Sequence, residues 1–172
     1  FMTFLAVAFG VALGNRVGTA IFASVPAVTP TPLPGWLGIV AVVAAGLGFV
    51  VVLRAQAQDA LWIVLIGGLG VLGGRAGSAA LGVELGTFAG ALAVGVASAG
   101  YERWTRRPAA VVSVPGILLL VPGSVGFRGL TSLMQREAVT GIETIFSMIL
   151  TAVALVAGLL IAAVVAPELR PA

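Results

Sequence analysis

One uninterrupted apolar run, TIFSMILTAVALVAGLLIAAVVA, constrains this chain more than any other feature. It contains no charged residue, and a helix needs about 20 apolar residues to cross the ~30 Å hydrocarbon core of a bilayer. The run therefore predicts a transmembrane helix, which we place at 143–166. Weaker apolar runs predict further spans at 1–25, 36–53, 60–81, 85–101 and 109–122.

The composition supports this interpretation. Hydrophobic residues make up 60% of the chain, charged residues 9%, and the mean hydropathy is +1.18, whereas about a quarter of the residues of a soluble domain are charged. The runs are continuous and do not alternate between apolar and polar residues, so they indicate helices rather than barrel strands. The predicted fold class is all-α: a polytopic transmembrane helix bundle of about six segments, one of them broken at a Pro-Gly pair.

The residue inventory excludes most chemistry. The chain has no Cys and no His, and all nine basic residues are Arg, so thiolate nucleophiles, imidazole metal ligands and lysine Schiff bases are absent. Without Lys there is no Gly-x-x-x-x-Gly-Lys phosphate loop. The arginines are dispersed, which argues against nucleic acid as a partner. We expect a protein that is not an enzyme and needs neither a cofactor nor a metal.

The arginines predict topology instead. Arg103, Arg106 and Arg107 form the densest basic cluster, and the positive-inside rule places such a cluster in the cytoplasm. Alternation of the spans then places the 54–59 connection and Arg170 on the same side. The proline-rich loop at 26–35 has no basic residue and falls outside. We expect a multi-pass protein of the plasma (inner) membrane.

Glycines at four-residue spacing predict close helix packing. Three sets occur, and in lipid small residues at this spacing let helix backbones approach one another. The sets are Gly10-Gly14-Gly18, Gly70-Gly74 and Gly82-Gly86-Gly90.

Two Pro-Gly pairs, Pro115-Gly116 and Pro122-Gly123, predict helix breaks. Proline removes a helical hydrogen bond, and unsatisfied backbone groups at membrane depth are tolerated where they line a cavity. The free amides of Ser124, Val125 and Gly126, with the Ser124 hydroxyl and Arg128, would suit a carboxylate, as in the discontinuous helices of secondary transporters. The alternative is a loop at the membrane surface with Arg128 reaching to lipid headgroups.

Three further charges fall in or near the spans: Arg75, Glu84 and Glu143. Ionisable residues within spans are functional candidates because burying them unpaired is costly. Arg75 and Glu84 could pair across the turn between two spans. Glu84 or Glu143 could serve as counter-charge to a substrate ammonium or a coupling proton, although helix ends also carry such charges for capping.

The order of breaks and loop charges in residues 84–134 resembles the C-terminal membrane module of the threonine/serine exporter family. The matching features are Phe88, Arg107-Pro108, Pro115-Gly116, Pro122-Gly123 and Phe127. A looser resemblance extends over 36–166.

The resemblance implies a transporter that exports threonine, serine or similar small amino acids, with proton coupling as the expected drive. Related two-subunit forms would instead export small carboxylates of the dicarboxylate or pyruvate type. The family combines this module with an N-terminal module, fused or separate. Residues 1–25 would then be the last helix of that module, 26–35 an external loop, 36–166 the C-terminal module and 167–172 a cytoplasmic tail. A non-transporting scaffold subunit remains an alternative, and a homo-oligomer is possible in either case.

Overall fold

A computed structural model of the chain describes residues 35–121 and 138–166, together with residues 9–10, 13–14, 16–18 and 20–21. The described residues form helices joined by short connections and contain no strand. The five long elements are α1 (Gly35–Val52), α2 (Ala60–Leu81), α3 (Val83–Thr105), α4 (Ala110–Leu120) and α5 (Ala138–Val165). A 3₁₀ turn, Ala57–Asp59, precedes α2. The predicted all-α helix bundle is confirmed.

The chain divides into two compact units. The first comprises Phe1–Pro32 and Gly123–Met148, and its described residues are the helical positions between 9 and 21 and the first part of α5. A Cβ added at Gly10, Gly14 or Gly18 would meet nothing within 4 Å. The packing contact predicted for this glycine set is therefore not observed among the described residues. The second unit comprises Leu33–Pro122 and Ile149–Ala172.

In the second unit, glycines bring α2 and α3 into backbone contact. A Cβ added at Gly90 would lie 2.7 Å from the Gly70 carbonyl oxygen, and one at Gly86 would lie 2.6 Å from that of Gly74. Real Cβ atoms do not approach backbone this closely, so only glycine fits at these positions. The packing role predicted for these two sets is confirmed at these four residues.

Small residues also join α3 to α5. A Cβ at Gly158 would lie 2.6 Å from the Phe88 carbonyl oxygen, and one at Gly95 would overlap the Ala162 methyl group. Residue numbers rise together along both helices, so α3 and the second-unit part of α5 run parallel. The end of α5 consequently lies beside the end of α3.

Helix α4 is short and runs antiparallel to α3. Gly116 packs against Val94, and Leu120 lies over Gly90 and Gly70. Eleven residues rise about 16 Å, roughly half of a hydrocarbon core. Because Gly70 is in the middle of α2, α4 ends at mid-bundle.

The break predicted at Pro115-Gly116 is wrong, because α4 continues through both residues. Pro115 removes only the hydrogen bond to the Val111 carbonyl, near the start of the helix. Both Pro115 and Gly116 are buried, and a Cβ at Gly116 would lie 2.9 Å from Val94. Tight packing against the neighbouring helices offsets the lost bond. The second predicted break, Pro122-Gly123, lies outside the described residues.

Four described helices are long and apolar enough to cross a membrane, and α4 is a shorter apolar helix. Many of their large apolar side chains point outward. On α2 an exposed stripe repeats every three or four residues, formed by Leu61, Leu65, Leu69 and Leu72. Such a surface is suited to lipid rather than water. A small buried core lies between the helices, formed by Ile63, Ile66, Val94, Tyr101 and Val112.

Candidate functional site

Two connections meet at one end of the second unit. The first joins α1 to α2, and Arg54, two residues after the end of α1, is in the left-handed conformation, with φ 51°. The second joins α3 to α4, and Arg106 ends α3 in the same conformation, with φ 56°. Glycine usually occupies such positions because a side chain is strained there. Strained backbone of this kind clusters at functional sites.

Asp59 is the centre of this end. It is the last residue of the 3₁₀ turn and precedes α2, and it is only 4% exposed. The Arg107 guanidinium donates to both carboxylate oxygens, at 2.7 and 2.8 Å, and the Tyr101 hydroxyl donates to Oδ1 at 2.8 Å. A second Arg107 nitrogen donates to Gln56 at 3.0 Å. One carboxylate therefore fastens α2 to the end of α3 and to the loop that follows it.

Aromatic side chains extend this cluster. Trp62 makes edge-to-face contacts with Tyr101, at 5.6 Å between ring centroids, and with Trp104, at 5.9 Å. Trp104 itself is 81% exposed. Trp and Tyr concentrate at membrane–water interfaces. The aromatic group marks this end of the bundle as the level of one interface.

An open cavity of about 530 Å³ lies beside the cluster. Its polar wall is formed by Arg54, Gln56, Asp59 and Arg107. Its apolar wall is the outer face of α4, with Val111 and Val114. Two arginines against one carboxylate leave one excess positive charge in the wall. The cavity can therefore receive an anionic group from the interface.

Sequence reasoning did not single out Asp59, Gln56 or the role of Arg107. The predicted topology did contain a signal for this contact, because it placed the 54–59 connection and the 103–107 loop on the same side of the membrane. Asp59 is the one acidic residue of the first connection, and it lies opposite Arg106 and Arg107 in the second connection, with Arg103 in the last turn of α3. Charge complementarity between loops on the same side would have predicted the pair.

Arg75 differs from the prediction. No ion pair joins it to Glu84 within the described part of the chain. Its guanidinium instead lies against α1, where a Cβ at Gly38 would be 3.0 Å from Nη2. There it borders an apolar cavity of about 220 Å³ between α1 and α2. The pair is not formed because Arg75 faces α1 whereas Glu84 is on α3.

The two predicted acidic candidates are on different units. Glu84 is half-buried in the first turn of α3. Glu143 is exposed on α5, which begins at Ala138, five residues earlier than Glu143. Glu143 is therefore in the second turn, where the attraction of a helix N-terminus for a carboxylate has largely faded.

The other predicted binding residues lie outside the described residues. They are Ser124, Val125, Gly126 and Arg128. The described chain stops immediately before them, at Val121, whose backbone is extended (φ −63°, ψ 125°) and whose N–H donates to the Ile117 carbonyl. The structure thus defines where α4 ends but does not test the predicted carboxylate site.

Comparison with known proteins identifies the family. No curated protein and no solved structure matches the chain. The family model described as "Threonine/Serine exporter, ThrE" matches residues 38–165, which include all of α2, α3, α4 and α5 and most of α1. Since the match covers most of the sequence, this chain, a bundle of membrane-spanning helices, belongs to the threonine/serine exporter family of membrane transporters.

Proposed function

We propose that the chain is the C-terminal half of a secondary transporter that exports threonine, serine or a similar small amino acid across the plasma membrane, driven by the proton gradient. The family match supports the transport of threonine and serine. An N-terminal module, fused or separate, supplies the rest of the pathway.

One observation carries this proposal: α4 ends at mid-bundle. In a continuing helix the Leu118 carbonyl would accept from the N–H of residue 122, but residue 122 is proline and has none. A polar group without a partner at this depth costs several kcal/mol unless protein or water meets it. Discontinuous helices are therefore typical of the solute pathway in secondary transporters.

The residues after Val121 form the carboxylate site in this proposal. The amides of Ser124, Val125 and Gly126 and the Arg128 guanidinium would bind the substrate carboxylate. Glu84 or Glu143 would carry the coupling proton. The cavity at Arg54 and Arg107 would be the vestibule through which the solute enters from the cytoplasm.

Export of a small dicarboxylate is the second candidate, because the wall of that vestibule carries an excess positive charge. One experiment separates the two functions. The complete protein is reconstituted in proteoliposomes, and uptake of labelled threonine, serine and a four-carbon dicarboxylate is measured with and without an imposed pH gradient. We expect gradient-dependent accumulation of the amino acids. Dicarboxylate flux alone would favour the second candidate, and no flux of any solute would show that the protein is not a carrier.

Alanine substitutions at two prolines test whether the end of α4 is needed for transport. Pro122→Ala restores the missing N–H and allows α4 to continue, so we expect at least a tenfold loss of flux. Pro115→Ala also removes a proline from this region, but at a position where the helix is already continuous, and should retain most of the flux. Equal effects of the two substitutions would mean that the end of α4 has no role in transport.

A matched arginine pair tests the carboxylate site. Arg128→Ala should abolish or strongly reduce flux while leaving the amount of protein in the membrane unchanged, because the guanidinium is the charged partner of the substrate carboxylate. Arg136→Ala removes a charge nearby in the sequence and should have a small effect. Wild-type flux in Arg128→Ala would dismiss this residue as the substrate ligand.

A further inference from the structure

A second, smaller cavity lies on the other side of α4, between α3, α4 and α5. Its volume is about 160 Å³. Among the described residues, three polar side chains line it: Ser98 and Glu102 from α3 and Ser113 from α4. The remaining wall is made mostly of small apolar residues such as Gly95 and Ala162. A single water needs only about 10–15 Å³, so the cavity has room for a solute of several heavy atoms.

The side chain of Ser98 indicates that this cavity binds a ligand. It is 2% exposed, and its hydroxyl has no hydrogen-bond partner among the residues that the structure describes. Buried polar groups nearly always have a partner, and an exception calls for an explanation. Ser98 and Glu102 are four residues apart and share one face of α3. Ser98 and Glu102 thus line the same cavity.

The side chains that line the cavity favour a ligand with a positive charge. The described lining residues include no basic residue, and the charged group among them is the Glu102 carboxylate. Carboxylate and hydroxyl oxygens accept hydrogen bonds, and a primary ammonium group offers three donors. A dicarboxylate would instead be repelled by Glu102.

We propose that this cavity binds the ammonium group of a small amino acid, with Glu102, Ser98 and Ser113 as acceptors. The inference rests on the proposed function and selects amino acids over dicarboxylates as its substrate class. Ala109, the N-cap of α4, also lines the cavity. The positive end of the α4 dipole favours negative charge, so the substrate carboxylate lies toward Ala109 and its ammonium toward Glu102.

The position of the cavity suits a binding site that the solute reaches first when it enters from the cytoplasm. Glu102 is one turn before the end of α3, and Ala166, which follows α5, lines the same cavity. Both belong to the end of the bundle that carries the arginine loop, which topology places in the cytoplasm. An exported amino acid would therefore meet this site before it reaches the middle of the bundle.

Binding can be measured without transport. The complete protein in detergent is titrated by calorimetry with L-serine, with ethanolamine, which has the ammonium but no carboxylate, and with glycerate, in which a hydroxyl replaces the ammonium. We expect serine to bind at least tenfold more tightly than glycerate. Glu102→Gln should weaken serine and ethanolamine at least tenfold and leave glycerate unchanged, and Ser98→Ala should weaken serine about threefold to tenfold.

Thr87→Val is the matched control for Ser98→Ala. It removes a hydroxyl from the same helix, one that donates to the Val83 carbonyl at 3.1 Å and does not line the cavity. Serine should bind this variant as it binds the wild type. Thermal unfolding of each variant checks that it is folded, and the Ser98→Ala series tests the site even if Glu102→Gln does not fold.

The outcomes separate this inference from the proposed function. A wild-type protein that transports serine, with Glu102→Gln and Ser98→Ala binding it normally, overturns the ammonium site and leaves the carrier intact. A wild-type protein without flux whose serine binding depends on Glu102 retains the site and refutes the carrier. Absence of serine binding to the wild type, or equal affinity for serine and glycerate, also overturns the inference.

Discussion

At the scale of single residues, Asp59 and Arg107 form a well-defined ion pair in the described part of the chain. The two Asp59 side-chain oxygens are within 2.8 Å of Arg107 Nη1, and the side chains are 6% and 32% exposed. A pair of this kind is stronger than a surface ion pair because its carboxylate is shielded from water. Arg107 keeps contact with water, which reduces the desolvation cost.

A double-mutant cycle should detect this pair. Asp59→Asn keeps an oxygen that can accept from Tyr101 but removes the charge, and Arg107→Gln removes the partner. We expect each single substitution to lower the free energy of unfolding by about 2 kcal/mol, and the double variant to cost about 1–2 kcal/mol less than their sum. SDS titration of the four proteins measures these values. Additive effects would mean that the two charges do not stabilise the fold through each other.

Residue-scale features were the hardest to predict from sequence. The Asp59–Arg107 pair joins residues 48 positions apart, and no local pattern encodes such a contact. The pair predicted between Arg75 and Glu84 failed for the opposite reason. These residues are near in sequence, but their side chains face different helices. Side-chain direction around a helix, rather than sequence distance, decides which charges meet.

At the scale of elements, glycine spacing had clear predictive value. Gly70, Gly74, Gly86 and Gly90 lie where two backbones touch, as their spacing predicts, whereas Gly10, Gly14 and Gly18 have no such contact among the described residues. The same period therefore marks a packing surface only when a partner helix is present. The helix break predicted at Pro115 was wrong as well. Proline weakens a helix, but tertiary packing decides whether the helix ends.

Two glycines of α3 offer a matched test of packing. Gly90→Ala would bring a methyl group to 2.7 Å from the Gly70 carbonyl oxygen, while a Cβ at Gly100 would meet nothing within 4 Å. We expect Gly90→Ala to lower the free energy of unfolding by about 1–3 kcal/mol. Gly100→Ala should be neutral or stabilising by up to about 1 kcal/mol, because alanine favours the helix.

The same SDS titration measures this difference. Equal stability of the Gly90→Ala and Gly100→Ala proteins would contradict the close approach of α2 and α3. A destabilised Gly100→Ala protein would show that the outer face of α3 has a neighbour in the membrane, such as a second copy of the chain.

At the scale of the whole molecule, the described second unit separates two kinds of charge at one end. The cavity of Arg54 and Arg107 is on one side of α4, and the cavity of Glu102 is on the other. A zwitterion carries both charges, whereas a dicarboxylate carries one kind. The arrangement therefore favours an amino acid as the solute. Composition and apolar runs predicted the described helices well because lipid imposes strict rules on length and charge, but such rules do not specify cavities.

The orientation of the bundle can be tested with single cysteines, since the natural chain has none. Gln58 and Trp104 are exposed at the end that carries the arginine loop, and Val83 is exposed at the opposite turn, between α2 and α3. Because α2 and α3 are each long enough to cross the bilayer, we expect the two ends to face different compartments. In intact cells, a membrane-impermeant maleimide should label Val83→Cys and leave Gln58→Cys and Trp104→Cys unlabelled until the membrane is opened. The reverse pattern would place the arginine loop outside and reverse the orientation of the proposed exporter in the membrane. Different labelling of Gln58→Cys and Trp104→Cys would contradict the fold, because the structure places both residues at the same end of the bundle.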